Sequence, residues 1–243
     1  MRIRSTLGVA ALAASLVVAL AGCAELEPTS APIPSAEASG GSSTDPSEAP
    51  STDPAAAWLD GGRAIALVTW GSSSTACTPK AADVTAEGQT VTVALAGPPA
   101  DTACTADFAP RATYVAVPDG VETTRDVTLS FQGDQFSGRV PLPGRTSSAS
   151  GGAEDMMPSA GWFASDGIVL LTWGSSSCPP VVQDVAEKDG GATVSFVTDT
   201  TRACTRDLAP RLTVLEVTAP QDPTGFTLTL KGDGLDGTVA VAG

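Results

Sequence analysis

The chain contains no histidine. This removes the side chain that most often acts as a general base near neutral pH and most often ligates metals. Lysine is scarce as well, limited to Lys80, Lys188 and Lys231. Basic residues number 13 against 27 acidic ones, a formal net charge of −14. Nucleic-acid binding needs clustered Lys and Arg to neutralise phosphates, so no nucleic-acid partner is expected. Aromatic residues make up only 5 % of the chain. What remains is rich in Val, Thr, Ala and Gly and holds 19 prolines. That mixture favours short strands with many turns over long helices.

One long apolar run exists, at residues 7–21, behind Arg2 and Arg4. At about 15 residues it is short for a membrane span and right for the core of a signal peptide. It ends in Leu20-Ala21-Gly22-Cys23. An aliphatic residue, a small residue, glycine and then cysteine at this place resembles the lipobox of bacterial lipoproteins. The resemblance covers residues 1–23 only. It implies cleavage after residue 22 and a lipid thioether on Cys23, with acyl chains such as palmitate. It places the protein at the cell membrane, lipid-anchored, on the extracytoplasmic face. Without Arg2 and Arg4 the chain holds 27 acidic and 11 basic residues, a net charge of −16. Acyl chains worth ~0.8 kcal/mol per buried methylene outweigh the repulsion of such a chain from anionic lipid.

Residues 23–54 contain Pro, Ser, Ala, Thr, Gly and acids, with no basic residue and no aromatic. Nothing here can be buried, so a disordered tether is expected. As a coil it spans ~30 Å, and as polyproline II ~90 Å.

Beyond the tether the chain says the same thing twice. Trp70-Gly71-Ser72-Ser73-Ser74 returns as Trp173-Gly174-Ser175-Ser176-Ser177. Ala103-Cys104-Thr105, Asp107 and Ala109-Pro110-Arg111 return as Ala203-Cys204-Thr205, Asp207 and Ala209-Pro210-Arg211. Trp58 returns as Trp162. Four cysteines admit three pairings. A duplicated unit that folds by itself should pair internally, which predicts Cys77–Cys104 and Cys178–Cys204. An exported setting permits these bonds. With no C-x-x-C and no histidine, a thiolate metal site is disfavoured.

Strands are expected over residues 64–70, 82–86, 91–95, 113–117, 127–131 and 136–140, with the same order in the second copy. Residues 64–70 are apolar on both faces, which points to a central strand. The expected fold is all-β: two tandem small antiparallel sandwiches or barrels, each with one internal disulfide. Their bounds are 55–143 and 159–243. The Ser- and Gly-rich residues 144–158 read as a linker that lets the two move independently.

The serine runs invite a nucleophile, but they lack a base, and the G-x-S-x-G elbow is absent. No enzyme activity, cofactor or metal is expected. The candidate binding residues are the recurring ones: Trp70, Asp107, Arg111 and Trp173, Asp207, Arg211. The tryptophans serve either as core bulk, favoured by the scarcity of other aromatics, or as a stacking platform for a sugar ring. Asp107 with Arg111, and Asp207 with Arg211, are spaced to pair across a helical turn; the alternative is an Arg that binds a carboxylate or phosphate. Three functions follow in order. The first is a surface lipoprotein binding an envelope protein, a wall component or a small ligand. The second is a structural spacer or assembly factor with an exposed apolar patch. The third, a wall-polymer hydrolase, needs two carboxylates about 5–10 Å apart.

Overall fold

The computed structural model describes residues 52–134, 136–145 and 156–243. The expected signal peptide and Cys23, nearly all of the expected tether and most of the expected linker lie outside the described residues. Both repeats belong to one compact unit, Glu48–Gly243.

The described residues are all-β. The first repeat runs β1 Ala55–Leu59, β2 Ala64–Gly71, β3 Lys80–Glu87, β4 Thr90–Ala96, β5 Ala109–Ala116, β6 Val127–Gln132 and β7 Ser137–Leu142. The second runs β8 Ser159–Ala164, β9 Gly167–Gly174, β10 Val182–Lys188, β11 Gly191–Phe196, β12 Ala209–Glu216, β13 Thr227–Lys231 and β14 Gly237–Ala242. Each repeat therefore has a strand more than the sequence pattern suggests. The additional ones, β1 and β8, are rich in alanine and other small residues, which hides them from a β-propensity reading.

In the first repeat β1-β2-β5 form one sheet and β3-β4-β6-β7 another. Val91, Val93 and Leu95 on β4 are buried and alternate with exposed residues, so this strand buries one face. They meet Ile65, Leu67, Val115, Leu129 and Phe131 in a core between the two sheets. The second repeat builds the same core from Ile168, Leu170, Val194, Leu215, Leu228 and Leu230.

The expected antiparallel arrangement needs correcting. β4 pairs with β6, and β11 with β13, in parallel. The reason is topological. Between β4 and β6 the chain crosses to the other sheet to form β5, then returns beside β4 in the same direction, which no tight hairpin can do. A further parallel pair, Val241↔Ala160 and Ala242↔Gly161, joins the two sheets of the second repeat into one of seven strands. In the first repeat β7 and β1 remain in separate sheets, bridged by the Trp58 indole N–H donating to Pro143 O at 2.8 Å.

Independent motion of the repeats is also overturned. Ala57, Ala64, Ala66 and Val68 turn away from the first core and pack on Val169 and Leu171 of the second repeat. β2 and β9 are thus buried on both faces, which explains their unbroken apolar runs. The sheets succeed one another as stacked layers, in the manner of a solenoid, rather than separating into two free-standing sandwiches. Backbones approach closely at this interface: a Cβ on Gly161 would stand 2.4 Å from Trp58 O. The turn after β1 adds a bond between repeats, the Asp60 N–H donating to Ser159 Oγ at 2.8 Å.

Candidate functional site

The repeated motif forms a stapled loop cluster in each repeat, beside the end of β2 and the start of β5 and, equivalently, the end of β9 and the start of β12. β2 ends at Gly71, where the three serines leave the sheet and lead to Cys77. The bonds Cys77–Cys104 and Cys178–Cys204 are formed, with Cα atoms 5.8 and 5.6 Å apart. They tie the β2–β3 loop to the β4–β5 loop, and likewise β9–β10 to β11–β12.

Polar side chains complete the staple. Asp107 accepts the Ser73 backbone N–H at 3.0 Å and the Thr105 hydroxyl. Thr105 in turn lies 2.7 Å from the Ser72 hydroxyl. In the second repeat Asp207 accepts the Ser176 N–H at 3.2 Å and the Thr205 hydroxyl, and Thr205 lies 2.7 Å from the Ser175 hydroxyl. The serines are occupied in satisfying the loop.

The Asp–Arg pairs do not form. Residues after Phe108 enter β5 rather than a helical turn, so the four-residue spacing carries the two side chains apart. Pro110 and Pro210 sit at the start of edge strands, where the missing N–H costs no ladder bond. Arg111 instead donates from Nη1 to Cys77 O at 2.9 Å. Arg211 donates to Cys178 O at 3.0 Å and to Trp173 O at 3.1 Å. Each guanidinium lies over the glycine that follows the tryptophan. A Cβ on Gly71 would stand 2.5 Å from Arg111 Cζ, and one on Gly174 2.6 Å from Arg211 Cζ. The Trp-Gly pair and the distant Pro-Arg pair are therefore one device: glycine makes the space, and arginine holds the disulfide loop.

Trp70 and Trp173 pack between the repeats. Trp70 meets Phe163 edge-on at 6.5 Å, and Trp173 meets Tyr114 at 6.1 Å. Both belong to the apolar cluster shared by the two repeats. Their rings are engaged in packing between the repeats, not within the core of either repeat as the core reading expects.

Hydrogen bonds from Ser73 and Thr105 lower the Asp107 pKa from its ordinary 3.8 to about 2. Ser176 and Thr205 hold Asp207 at about 2 in the same way. A carboxylate so stabilised is a weak base at neutral pH. The sign of the linkage follows. With folded values below the unfolded value, both groups favour the folded loop above pH ~4, and that contribution is lost as pH falls towards 2. The protection of the Ser73 and Ser176 amides, measured against the intrinsic exchange rate at each pH, is expected to fall over this range. With Asp107→Asn and Asp207→Asn the acid-dependent step should disappear; a step that persisted would mean other carboxylates control the loops.

A second feature is a cavity of about 690 Å³ between the repeats. It opens where β1 and β7 of the first repeat face β8 and β14 of the second. Trp58, Trp162, Phe163, Pro141 and Val241 form much of its wall, and Arg145 and Thr224 supply polar side chains. The Arg145 guanidinium is positioned by a hydrogen bond from Nη1 to Gly61 O. The Trp162 indole N–H is buried with no hydrogen-bond partner among the described residues.

No family model matches this chain, nor does any curated protein or solved structure. Geometry alone therefore ranks the sites. The recurring residues picked out by the sequence form two scaffolds, while this cavity lies elsewhere. Of its lining only Trp58 and Trp162 carry a sequence signal, their recurrence between copies. Phe163 and Arg145 have none, because the cavity is assembled from chain segments that are remote in sequence.

Proposed function

We propose that this chain is an exported lipoprotein without enzymatic activity, held on the extracytoplasmic face of the cell membrane by lipid on Cys23. Residues 1–22 are its signal peptide and 23–54 its tether; the β repeats, 55–143 and 159–243, are each a small sandwich-like module joined by 144–158. The paired repeats bind a small ligand or an envelope component. The observation that carries binding is the cavity at the junction of the repeats. Its size falls within the range of small-molecule sites, about 300–1,000 Å³, and its wall is apolar and aromatic. Support for export comes from the lipobox and from two internal disulfides, which persist in oxidising compartments.

Two measurements test this reading. Labelling with a fatty-acid analogue is expected to mark the chain and to fail for Cys23→Ala, which should leave the membrane fraction. Native mass spectrometry of protein taken from its own membrane is expected to show a retained small molecule, absent when Ala242→Phe fills the cavity. A labelled Cys23→Ala protein overturns the anchor; retention indifferent to Ala242→Phe overturns the site.

A second reading, an assembly or spacer role, is favoured by one specific observation. Phe108 and Leu208 occupy equivalent places on the two stapled loops and are 68 % and 57 % exposed. Large apolar side chains held outward on stiff loops suit a protein interface. Loss of a cellular complex on Phe108→Ser with Leu208→Ser, while ligand retention is unchanged, selects this role.

A further inference from the structure

We propose that the cavity between the repeats takes an anionic amphiphile, with an acyl- or prenyl-type apolar body inside and a carboxylate or phosphate head at Arg145. This rests on the reading of the cavity as the binding site and names its ligand class.

The body of the ligand follows from what the wall lacks. Beyond Arg145 and Thr224, the lining side chains among the described residues offer hydrogen bonds only through the indoles, and the Trp58 N–H is already given to Pro143 O. A glycan or an extended peptide would bring many donors and acceptors into a site that cannot answer them, and each would be desolvated without return. A hydrocarbon chain brings none. Prolines and aromatic rings give it a continuous apolar surface.

The sign of the head follows from charge placement. Acidic residues outnumber basic ones about two to one in this chain, yet among the described residues no Asp or Glu side chain lines the cavity. Asp53, Asp126 and Asp222 neighbour lining residues in sequence without lining it themselves. Two of them are turned to the backbone, Asp126 accepting the Gly144 N–H and Asp222 the Thr224 N–H, both at 2.9 Å. Among the described residues Arg145 is the one charged side chain in the wall. Its bond to Gly61 O fixes the guanidinium while using one donor of a planar fork that carries several. Such a fork suits a carboxylate or phosphate.

The place of the cavity agrees with this chemistry. Pro54 is part of its lining, so it lies where the tether reaches the folded repeats. A protein held on a membrane by the other end of that tether has amphiphiles within reach.

The test uses residues 23–243 with Cys23→Ser, so that no lipid of its own competes. Four probes below their micellar concentrations are titrated against the tryptophan fluorescence of this protein: dodecanoate, dodecyl phosphate, methyl dodecanoate and dodecyltrimethylammonium. Dodecanoate or dodecyl phosphate is expected to bind about tenfold more tightly than the neutral ester, the worth of a charged hydrogen bond. Whichever is tighter identifies the head. Arg145→Ala should erase the preference, and Arg145→Lys should restore part of it. Equal binding of all four probes, or a preference for the cation, overturns the anionic head and leaves the cavity reading intact. If no probe binds and Ala242→Phe changes nothing, the cavity reading itself fails.

Discussion

Gly161→Val is expected to destabilise the folded repeats by about 3 kcal/mol or more. Two effects oppose each other at this position. Valine favours strands, and Gly161 lies within β8, paired with Val169 on one side and Ala242 on the other. The propensity gain is at most about 1 kcal/mol. Against it stands a Cβ placed 2.4 Å from Trp58 O and 3.2 Å from Ala57 Cβ. The first of these atoms is backbone of a buried strand and cannot swing aside. Relief requires β1 and β8 to separate, which opens the cluster of Ala57, Ala66, Val68, Val169 and Leu171. Sterics therefore win. Urea denaturation should show the loss, and the single transition expected of the parent protein should broaden or split as the repeats uncouple. Gly237→Ala is the matched control: a Cβ there meets nothing within 4 Å, so it should change stability by less than about 0.5 kcal/mol. A Gly161→Val protein as stable as its parent would show that the two repeats do not depend on this contact.

The same interface marks where the sequence stopped being informative. An apolar run on both faces of β2 announces that both faces are covered. It does not say by what, because alanine, valine and leucine fit any apolar partner. Hence Ile65 and Leu67 meet the four-stranded sheet of their own repeat, while Ala64, Ala66 and Val68 meet the other repeat. The small residues lie on the face where two backbones come close, a pattern visible only once the partner is known. β4 was easier, since its strict alternation fixes one buried face. β1 escaped notice because Ala55-Ala56-Ala57 has weak strand preference and is ordered by packing.

The candidate site divides the same way. Recurrence singled out the tryptophans, the aspartates and the arginines, and each of them does hold defined partners in both repeats. Spacing misassigned those partners. Asp107 and Arg111 are four apart, a helical distance, but they straddle the start of a strand, where four residues span more than 10 Å. Their true partners, Ser73 and Cys77 O, come from a loop that the disulfide brings alongside. The cavity left no such trace. Arg145 stands just after β7, and its meaning depends on Gly61 and on a wall drawn from both repeats.

Removing either disulfide is expected to cost about 3–4 kcal/mol in the chain-entropy model, for loops of 27 and 26 residues. The variants should be Cys77→Ala with Cys104→Ala, and Cys178→Ala with Cys204→Ala, so that no thiol remains to mispair. Cys77 is 1 % exposed and Cys178 4 %, and each loses a buried sulfur, which adds a small packing penalty. The consequence should not stay local. Arg111 donates to the carbonyl of Cys77 itself, so loosening that loop frees the guanidinium from its place above Gly71 and strips a half-buried donor of its acceptor. Trp70, next in the chain, packs on Phe163 of the other repeat. Loss of the first disulfide should therefore lower the stability of the second repeat too, and both should unfold together at a lower urea midpoint. Because Cys104 and Cys204 face solvent, a small thiol reductant should reproduce the effect without denaturant. A loss below about 1 kcal/mol in either double variant would mean that the hydroxyl, carboxylate and guanidinium bonds already hold the loops, and that the sulfur bridges add little to them.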